Sequence, residues 1–321
     1  MRPIVSIIMS VYNEDQNHLI ESIQSILDQT LSDFEFIIIN DNPSNILLEN
    51  VINSFHDDRI KLFRNEVNIG LALSMNRAAE LATTDCLVRM DADDIAEKDR
   101  IARQYEYYLK GYDLLFSRYS FIDESSNPIN ENKAENQSIY SPDEISKIIQ
   151  LKNIIHHPTV MMRKELLFAV GGYRNFPCSQ DYDLWLRIAE FGCRFYMLEQ
   201  SLLKYRINSN SVSSKKWYLQ QLTAHYIFQM SYERLKHKQD SFSENSYKRY
   251  LKKFKSDDDK SSSIYKSQIL KLDKAYEFKS RGSNVEAWFM IITTILRTKL
   301  LRLHYVLLIK KYFLLKYRKK L

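Results

Sequence analysis

The chain has 321 residues, 45% of them hydrophobic, enough for one core of about 200 residues with an appendage or for two modest domains; fibrous and disordered classes are excluded. Six Gly, where average usage would give roughly twenty, leave little for glycine-rich phosphate loops, and neither a GxGxxG nor a GxxxxGKS/T pattern occurs. The net charge of +6 sits at the end of the chain: residues 282–321 hold nine Lys and Arg against one Glu while the rest is near neutral, so a nucleic-acid-binding body is not expected and a basic tail facing an anionic surface is.

Ile4–Met9 begins the chain as a buried strand, and Leu19, Ile20, Ile23, Ile26 and Leu27 follow at helical spacing. Phe34–Ile39 predicts a second strand, Ile46–Phe55 a helix, Ile60–Phe63 a short strand, Leu71–Ala82 a helix and Cys86–Met90 a strand. Such alternation predicts an α/β fold with a mostly parallel sheet covered on both faces, because parallel neighbours need crossovers. Ligands in such sheets bind beyond the carboxyl ends of the strands. Leu114–Phe121 reads as another strand, and residues 123–144 as a polar loop or hairpin excursion. Between 154 and 207 fall a strand around Thr159–Met162, a Gly171-Gly172-Tyr173 turn, a helix from about 181 to 191, and two β-like runs, 194–198 and 201–207. From about 214 onward the pattern is helical, with the charged run 255–263 as a linker. The expected divisions are 1–110, 111–210 and 211–321. Cys86, Cys178 and Cys193 have no metal spacing, and the N-terminus lacks a signal pattern, which together predict a reducing, cytosolic compartment.

Three strand ends are polar at once. Asp91-Ala92-Asp93-Asp94 places three carboxylates in four residues, which repel one another unless a cation compensates them. A hard divalent ion with oxygen ligands, Mg²⁺ or Mn²⁺, is the natural compensator, and it would neutralise a diphosphate where no glycine nest exists. The alternative is a solvated acidic turn capping the next helix. Tyr12 and Glu14, just past the first strand, offer a ring face for a base and an acceptor for its N–H or a ribose hydroxyl; Asp41 offers an acceptor from the second strand. Singly, Tyr12 is equally a half-buried aromatic and Asp41 an Asx-turn residue. Asp181 lies in the first turn of a helix whose buried face is Leu184, Trp185 and Ile188, a position for a general base or simply an acidic helix start. His157 is either a phosphate or acceptor contact or a structural histidine; no zinc spacing accompanies it.

With VSIIMSVYNE at 5–14, SILDQTLSDFEFIIINDNPS at 25–44, NIGLALSMNRA at 68–78, DADD at 91–94, HHPTVMMRK at 156–164, GGYR at 171–174 and QDYDLWLRI at 180–188, the chain resembles a family 2 glycosyltransferase of the GT-A fold. That family builds bacterial surface polysaccharides. The resemblance implies that Ser10, Tyr12, Glu14 and Asp41 surround the uracil and ribose of a UDP-sugar with Gly70 near the base, that Asp91 contacts the ribose side, that Asp93 holds Mn²⁺ or Mg²⁺, and that Asp181 is the catalytic base. It further implies a polyprenyl-diphosphate-linked saccharide acceptor. Asn40-Asp41-Asn42-Pro43 departs from the family's Asp-Asp-Gly-Ser, and Gln180-Asp181 from its Glu-Asp pair. A nucleotidyltransferase and an inactive scaffold of the same fold are the competing readings.

Ala287–Leu296 is an apolar run half as long as a membrane span requires. Arg297, His304, Lys311 and Arg318 recur every seven residues as a basic stripe, so the tail reads either as an interfacial helix on anionic lipid, peripheral on the inner face of the cell membrane, or as a packed terminal helix with a solvated basic face.

Overall fold

A computed structural model describes residues 2–129, 138–207, 217–256, 258–280 and 284–318. The chain forms two compact units, Met1–Ser211 and Val212–Leu321.

The first unit runs β1 (Val5–Val11), α1 (Gln16–Leu27), β2 (Phe34–Asn40), α2 (Ile46–Asn53), β3 (Ile60–Arg64), α3 (Leu71–Leu81), β4 (Cys86–Arg89) and β5 (Ile95–Ala96). It continues with α4 (Arg100–Leu109), β6 (Leu114–Ile122), α5 (Pro142–Ile148), a 3₁₀ turn at His157–Thr159, β7 (Met161–Arg163), α6 (Lys164–Ala169), α7 (Gln180–Phe191) and β8 (Phe195–Arg206). The eight strands form one sheet in the order β3-β2-β1-β4-β7-β6-β8-β5. β3, β2, β1 and β4 are parallel. The other half is mixed: β7 runs antiparallel to both β4 and β6, β6 pairs with β8 in parallel, and β5 closes the edge antiparallel to β8. Parallel pairing thus runs unbroken only through the first half, because the three-residue β7 stands antiparallel between β4 and β6.

Both sheet faces are covered, which is why Phe34–Asn40 is apolar almost throughout and buried at every position. Ile7, Met9 and Val88 meet Leu19, Ile23 and Ile26 of α1, Ile52 of α2 and Ile101 of α4 on one face. Ile8, Leu87 and Met162 meet Met75 of α3 and Leu184, Trp185 and Ile188 of α7 on the other. Asp15 starts α1 by accepting from the N–H groups of Asn17 and His18. Helix α4 escaped the apolar pattern because two of its four buried positions, Arg100 and Gln104, are polar. The two runs expected at 194–198 and 201–207 are one strand, β8, which keeps pairing with β6 across register shifts at Ser117/Arg118 and Arg118/Ser120. Of the expected polar excursion, Asp123–Asn127 is a turn closed by Ile122 and Pro128, α5 begins at Pro142, and residues 130–137 lie outside the described residues.

The second unit contains α8 (Trp217–His237), α9 (Glu244–Lys253), α10 (Asp259–Ser280), α11 (Asn284–Arg297) and α12 (Lys299–Arg318). Helix α10 starts at Asp259, so the run expected as a linker is half helical; its serines tolerate a first helical turn. The basic stripe is the clearest correction. Lys311 is fully buried, donates from Nζ to Ser231 Oγ at 2.7 Å and lies over the Phe228 ring at 4.4 Å; His304 packs against His225 and Phe228. Two members of the stripe therefore face α8, and Arg318's side chain lies outside the described residues. What α11 and α12 expose is apolar: Val285, Trp288, Phe289, Ile292 and Leu296 recur at helical spacing, continued by Leu303, Val306, Ile309 and Phe313. No described helix is long and apolar enough to cross a membrane.

His225 packs in α8 with Nδ1 bonded to Tyr250 Oη at 2.6 Å, and burial, reinforced by the charges of His304 and Lys253, lowers its pKa to about 3 from 6.5. Its neutral form favours folding above about pH 6.5, and that contribution falls away as the pH drops through the unfolded value toward the folded one. His225→Phe is expected to flatten the fall in unfolding free energy between about pH 6 and 4 by up to about 1.4 kcal/mol per pH unit. An unchanged slope in denaturant titrations across that range would contradict this.

Candidate active site

The carboxyl ends of β1, β2 and β4 bring the polar segments together. Asp41, directly after β2, is buried and fully engaged: Oδ1 accepts from Asn65 Nδ2 at 2.7 Å and from the Ile69 N–H at 2.9 Å, and Oδ2 accepts from the Gly70 N–H at 2.9 Å. Asp41 thus ties the β2 loop to the segment entering α3, where Gly70 adopts φ +86°, a conformation that disfavours any side chain. The Asp41 backbone N–H donates to Val11 O, which aligns the ends of β1 and β2. Ser10 is half-buried in β1 opposite Ile39, and Tyr12 is exposed beyond it. Glu14 turns back to accept from the Tyr12 N–H at 2.6 Å. Burial first, and then the charges of Asp93 and Asp91, raise Glu14 to a pKa of about 7, so this carboxylate faces the acidic segment.

Residues 91–94 cross from the end of β4 to β5 at the far edge of the sheet, and this path explains their crowding. One carboxylate oxygen from each of Asp91, Asp93 and Asp94 lies within 4.8 Å of the others. Burial first, then like charge from Asp91, raises Asp93 to about 6, and the same causes push Asp94 well above the usual range. Three arginines counter them. Arg89, 2% exposed at the end of β4, pairs with Asp91; burial pulls its pKa down, but the carboxylates around it hold it above its ordinary value. Arg206, ending β8, donates its backbone N–H to Asp94 Oδ1 at 2.9 Å and Nε to the Asp93 carbonyl at 2.7 Å, and pairs with Glu21. Arg100 donates to the Arg89 carbonyl at 2.8 Å, its pKa brought down to about 9 by burial.

The chemistry of this donor set suits a hard cation. All three groups are carboxylates, and Asp94 Oδ2 is buried with no hydrogen-bond partner among the described residues, as an oxygen reserved for an ion would be.

Asp181 occupies the first turn of α7, half-buried, with Asn153 Nδ2 donating at 3.3 Å; burial raises its pKa, opposed by the Tyr182 N–H and by Asn153. The positive charge of Arg89, which pairs with Asp91, adds a smaller lowering influence on Asp181. Asp183, two residues on, is fully buried between Arg174 and Arg187 and is structural.

The surroundings of His157 favour the structural of its two readings. It is buried, shares a 2.8 Å hydrogen bond with Tyr173 Oη and abuts Trp185, while burial drives its pKa well down. Its neighbour His156, which the pattern did not single out, is the one near Asp91. It stacks on Tyr119 with centroids 4.2 Å apart and meets Tyr205 edge-on at 4.4 Å; its pKa falls to about 4 on burial. Tyr205 in turn feels all three acidic carboxylates. Arg89, a charge inside an otherwise apolar strand, was the one missed residue carrying a sequence signal; Arg206, His156 and Tyr205 carried none.

Residues 6–170 match the family described as Glycosyl transferase family 2. An O-antigen biosynthesis glycosyltransferase of Escherichia coli, WbnJ, is 34% identical over 212 residues, covering 64% of this chain and 81% of that protein. A UDP-Gal:alpha-D-GlcNAc-diphosphoundecaprenol beta-1,3-galactosyltransferase of E. coli is 29% identical over 232 residues, covering 70% of this chain and 83% of that protein. In fold, residues 1–349 of S. aureus TarS in complex with UDP-GlcNAc superpose with a TM-score of 0.56 at 16% identity, over 77% of this chain and 70% of that one. The chain belongs to glycosyl transferase family 2 and is a glycosyltransferase of the GT-A fold.

The turn bearing Tyr173 is clamped to α3: Asn76 Nδ2 donates to the Tyr173 carbonyl at 2.9 Å, and the Tyr173 N–H donates to Asn76 Oδ1 at 2.8 Å. Gly172 has φ +68°, and a Cβ there would stand 2.8 Å from Asn76 Oδ1, whereas at Gly171, φ +84°, it would meet nothing within 4 Å. Gly172→Ala is expected to cost about 1–3 kcal/mol of backbone strain plus the clash, and Gly171→Ala only the strain. Equal losses for the two in urea unfolding would count against the clamp.

Proposed function

We propose that the chain transfers a hexose, galactose or glucose, from a UDP-sugar to a hydroxyl of a saccharide carried on a polyprenyl diphosphate, with inversion, in surface-polysaccharide biosynthesis. The observation that supports this reading is a carboxylate trio suited to a cation after β4, with a further carboxylate, Asp181, in the first turn of α7. Donor and acceptor classes follow the relative that acts on a diphosphoundecaprenol substrate, and the donor class also follows the UDP-GlcNAc complex of the TarS neighbour.

In this reading Tyr12 offers its exposed ring to the uracil, Ser10 and Glu14 line the base and ribose, Asp41 shapes the pocket by fixing Gly70, and Asp91 contacts the ribose. Asp93, with Asp91 and Asp94 beside it, would hold Mn²⁺ or Mg²⁺, which supplies neutralisation of the charge on departing UDP. Asp181 accepts the proton of the acceptor hydroxyl as that oxygen bonds to the anomeric carbon and the bond from that carbon to the diphosphate breaks. A single displacement turns an α-linked donor into a β-linked product. The raised pKa of Asp181 makes it a stronger proton acceptor than a solvated carboxylate.

Two predictions follow from these roles. Asp181→Asn should lower turnover about 10²-fold or more while UDP affinity, by calorimetry, stays within about twofold; near-normal turnover would reject the assignment. In an assay with a panel of UDP-sugars, Mn²⁺ and membranes, the product should be free UDP. Pyrophosphate would identify a nucleotidyltransferase, and no product with any donor would identify a scaffold.

The chain is further proposed to act in the cytoplasm, peripheral on the inner leaflet, through the apolar faces of α11 and α12 set among Arg297, Lys299, Arg302 and Lys316. Trp288→Ser with Phe289→Ser and Ile292→Ser, all exposed, should reduce sedimentation with phosphatidylglycerol vesicles severalfold without lowering the melting temperature. Undiminished sedimentation would rule this face out.

A further inference from the structure

The second unit holds a cavity of about 570 Å³ between α8, α9 and α12, a size suited to a small ligand. Its lining is mixed: Met230, Phe254, Leu303, Val306 and Leu307 supply an apolar part, and Gln229, Ser241 and Ser246 stand among the polar groups that share it. Arg249, Lys253 and Lys310 line it as exposed residues, and none of them pairs with a carboxylate among the described residues. One carboxylate, Glu233, also lines it, but its Oε2 accepts from Ser241 N–H and Oγ at 3.0 and 2.8 Å and its Oε1 from Gln229 at 3.1 Å, which ties it to the α8–α9 connection. His225, the remaining titratable wall residue besides the tyrosines, is neutral at ordinary pH because burial lowers its pKa to about 3.

We infer that this cavity binds the diphosphate head and first isoprene units of a polyprenyl diphosphate, the carrier of the acceptor saccharide. The inference rests on the transfer reaction proposed above and deepens it by naming the part of the chain that recognises the carrier. Two independent features select this occupant. Three cations without carboxylate partners at one opening complement a head bearing two or three negative charges, which a phosphodiester with one charge would underuse. Leu303 and Val306 belong at once to the cavity wall and to the exposed apolar face of α12, so a hydrocarbon chain leaving the cavity runs along that face. A free sugar phosphate would satisfy the cations and leave the apolar exit unused; a neutral prenol would do the reverse.

The test is calorimetric titration of the full chain with farnesyl diphosphate, inorganic pyrophosphate, farnesol and dioleoylphosphatidylglycerol micelles. Farnesyl diphosphate is expected to bind at least about tenfold more tightly than each of the other three. Arg249→Gln with Lys253→Gln should weaken it about tenfold or more, leaving the melting temperature and metal-dependent UDP release from donor alone unchanged, since both side chains are exposed. Equal binding by wild type and double variant, equal binding of phosphatidylglycerol, or no binding of farnesyl diphosphate would overturn the inference. The two proposals fail separately: UDP release without farnesyl diphosphate binding leaves the transferase and removes the cavity's role. Cation-dependent farnesyl diphosphate binding without UDP release keeps the site and removes the transfer.

Discussion

Charge compensation along residues 91–94 is the constraint on which the site depends. Three carboxylates within 4.8 Å of one another, at or under the protein surface, would push the segment apart or force it to take up protons. Arg89, Arg100 and Arg206, each nearly or fully buried, oppose this from three elements: the end of β4, the start of α4 and the end of β8, although Asp93 and Asp94 still hold their protons more tightly than solvated carboxylates do. Their guanidinium groups do not saturate the acids, since Asp94 Oδ2 has no hydrogen-bond partner among the described residues.

The sheet turns mixed after β4. The chain passes from β4 to β5 at the far edge in the five residues 90–94, and β8 returns Arg206 to meet Asp94 and Asp93. The same return carries Tyr205 to His156, giving the acidic segment an aromatic border. Asp181 joins through the clamped turn at Gly172 and Tyr173, whose position is set by Asn76 on α3.

In the second unit two of the four members of the seven-residue basic repeat, His304 and Lys311, point into the helical packing, as a packed terminal helix has them, and the long lysine stem over Phe228 offsets its burial with aromatic contact and the Ser231 hydroxyl. The surface left on α11 and α12 combines apolar residues such as Trp288, Phe289 and Ile292 with basic ones such as Arg297, Lys299 and Arg302.

Local pattern sufficed for the alternating strands and helices of the first half and for the acidic strand end, because burial on both sheet faces and polar strand ends leave marks a few residues apart. Family resemblance added roles to those positions. The burial of Gln104 in α4 and the placing of Arg206 and His156 rest on contacts that no window of sequence holds: Gln104 donates to the Thr159 carbonyl 55 positions away, Arg206 meets Asp94 and Glu21 at separations of 112 and 185, and His156 packs against Tyr119 and Tyr205. The direction a charged side chain takes from an amphipathic helix was equally hidden: Lys311 and Lys310 are adjacent in the chain, and only the packing of α12 on α8 turns one to the interior and leaves the other at the surface.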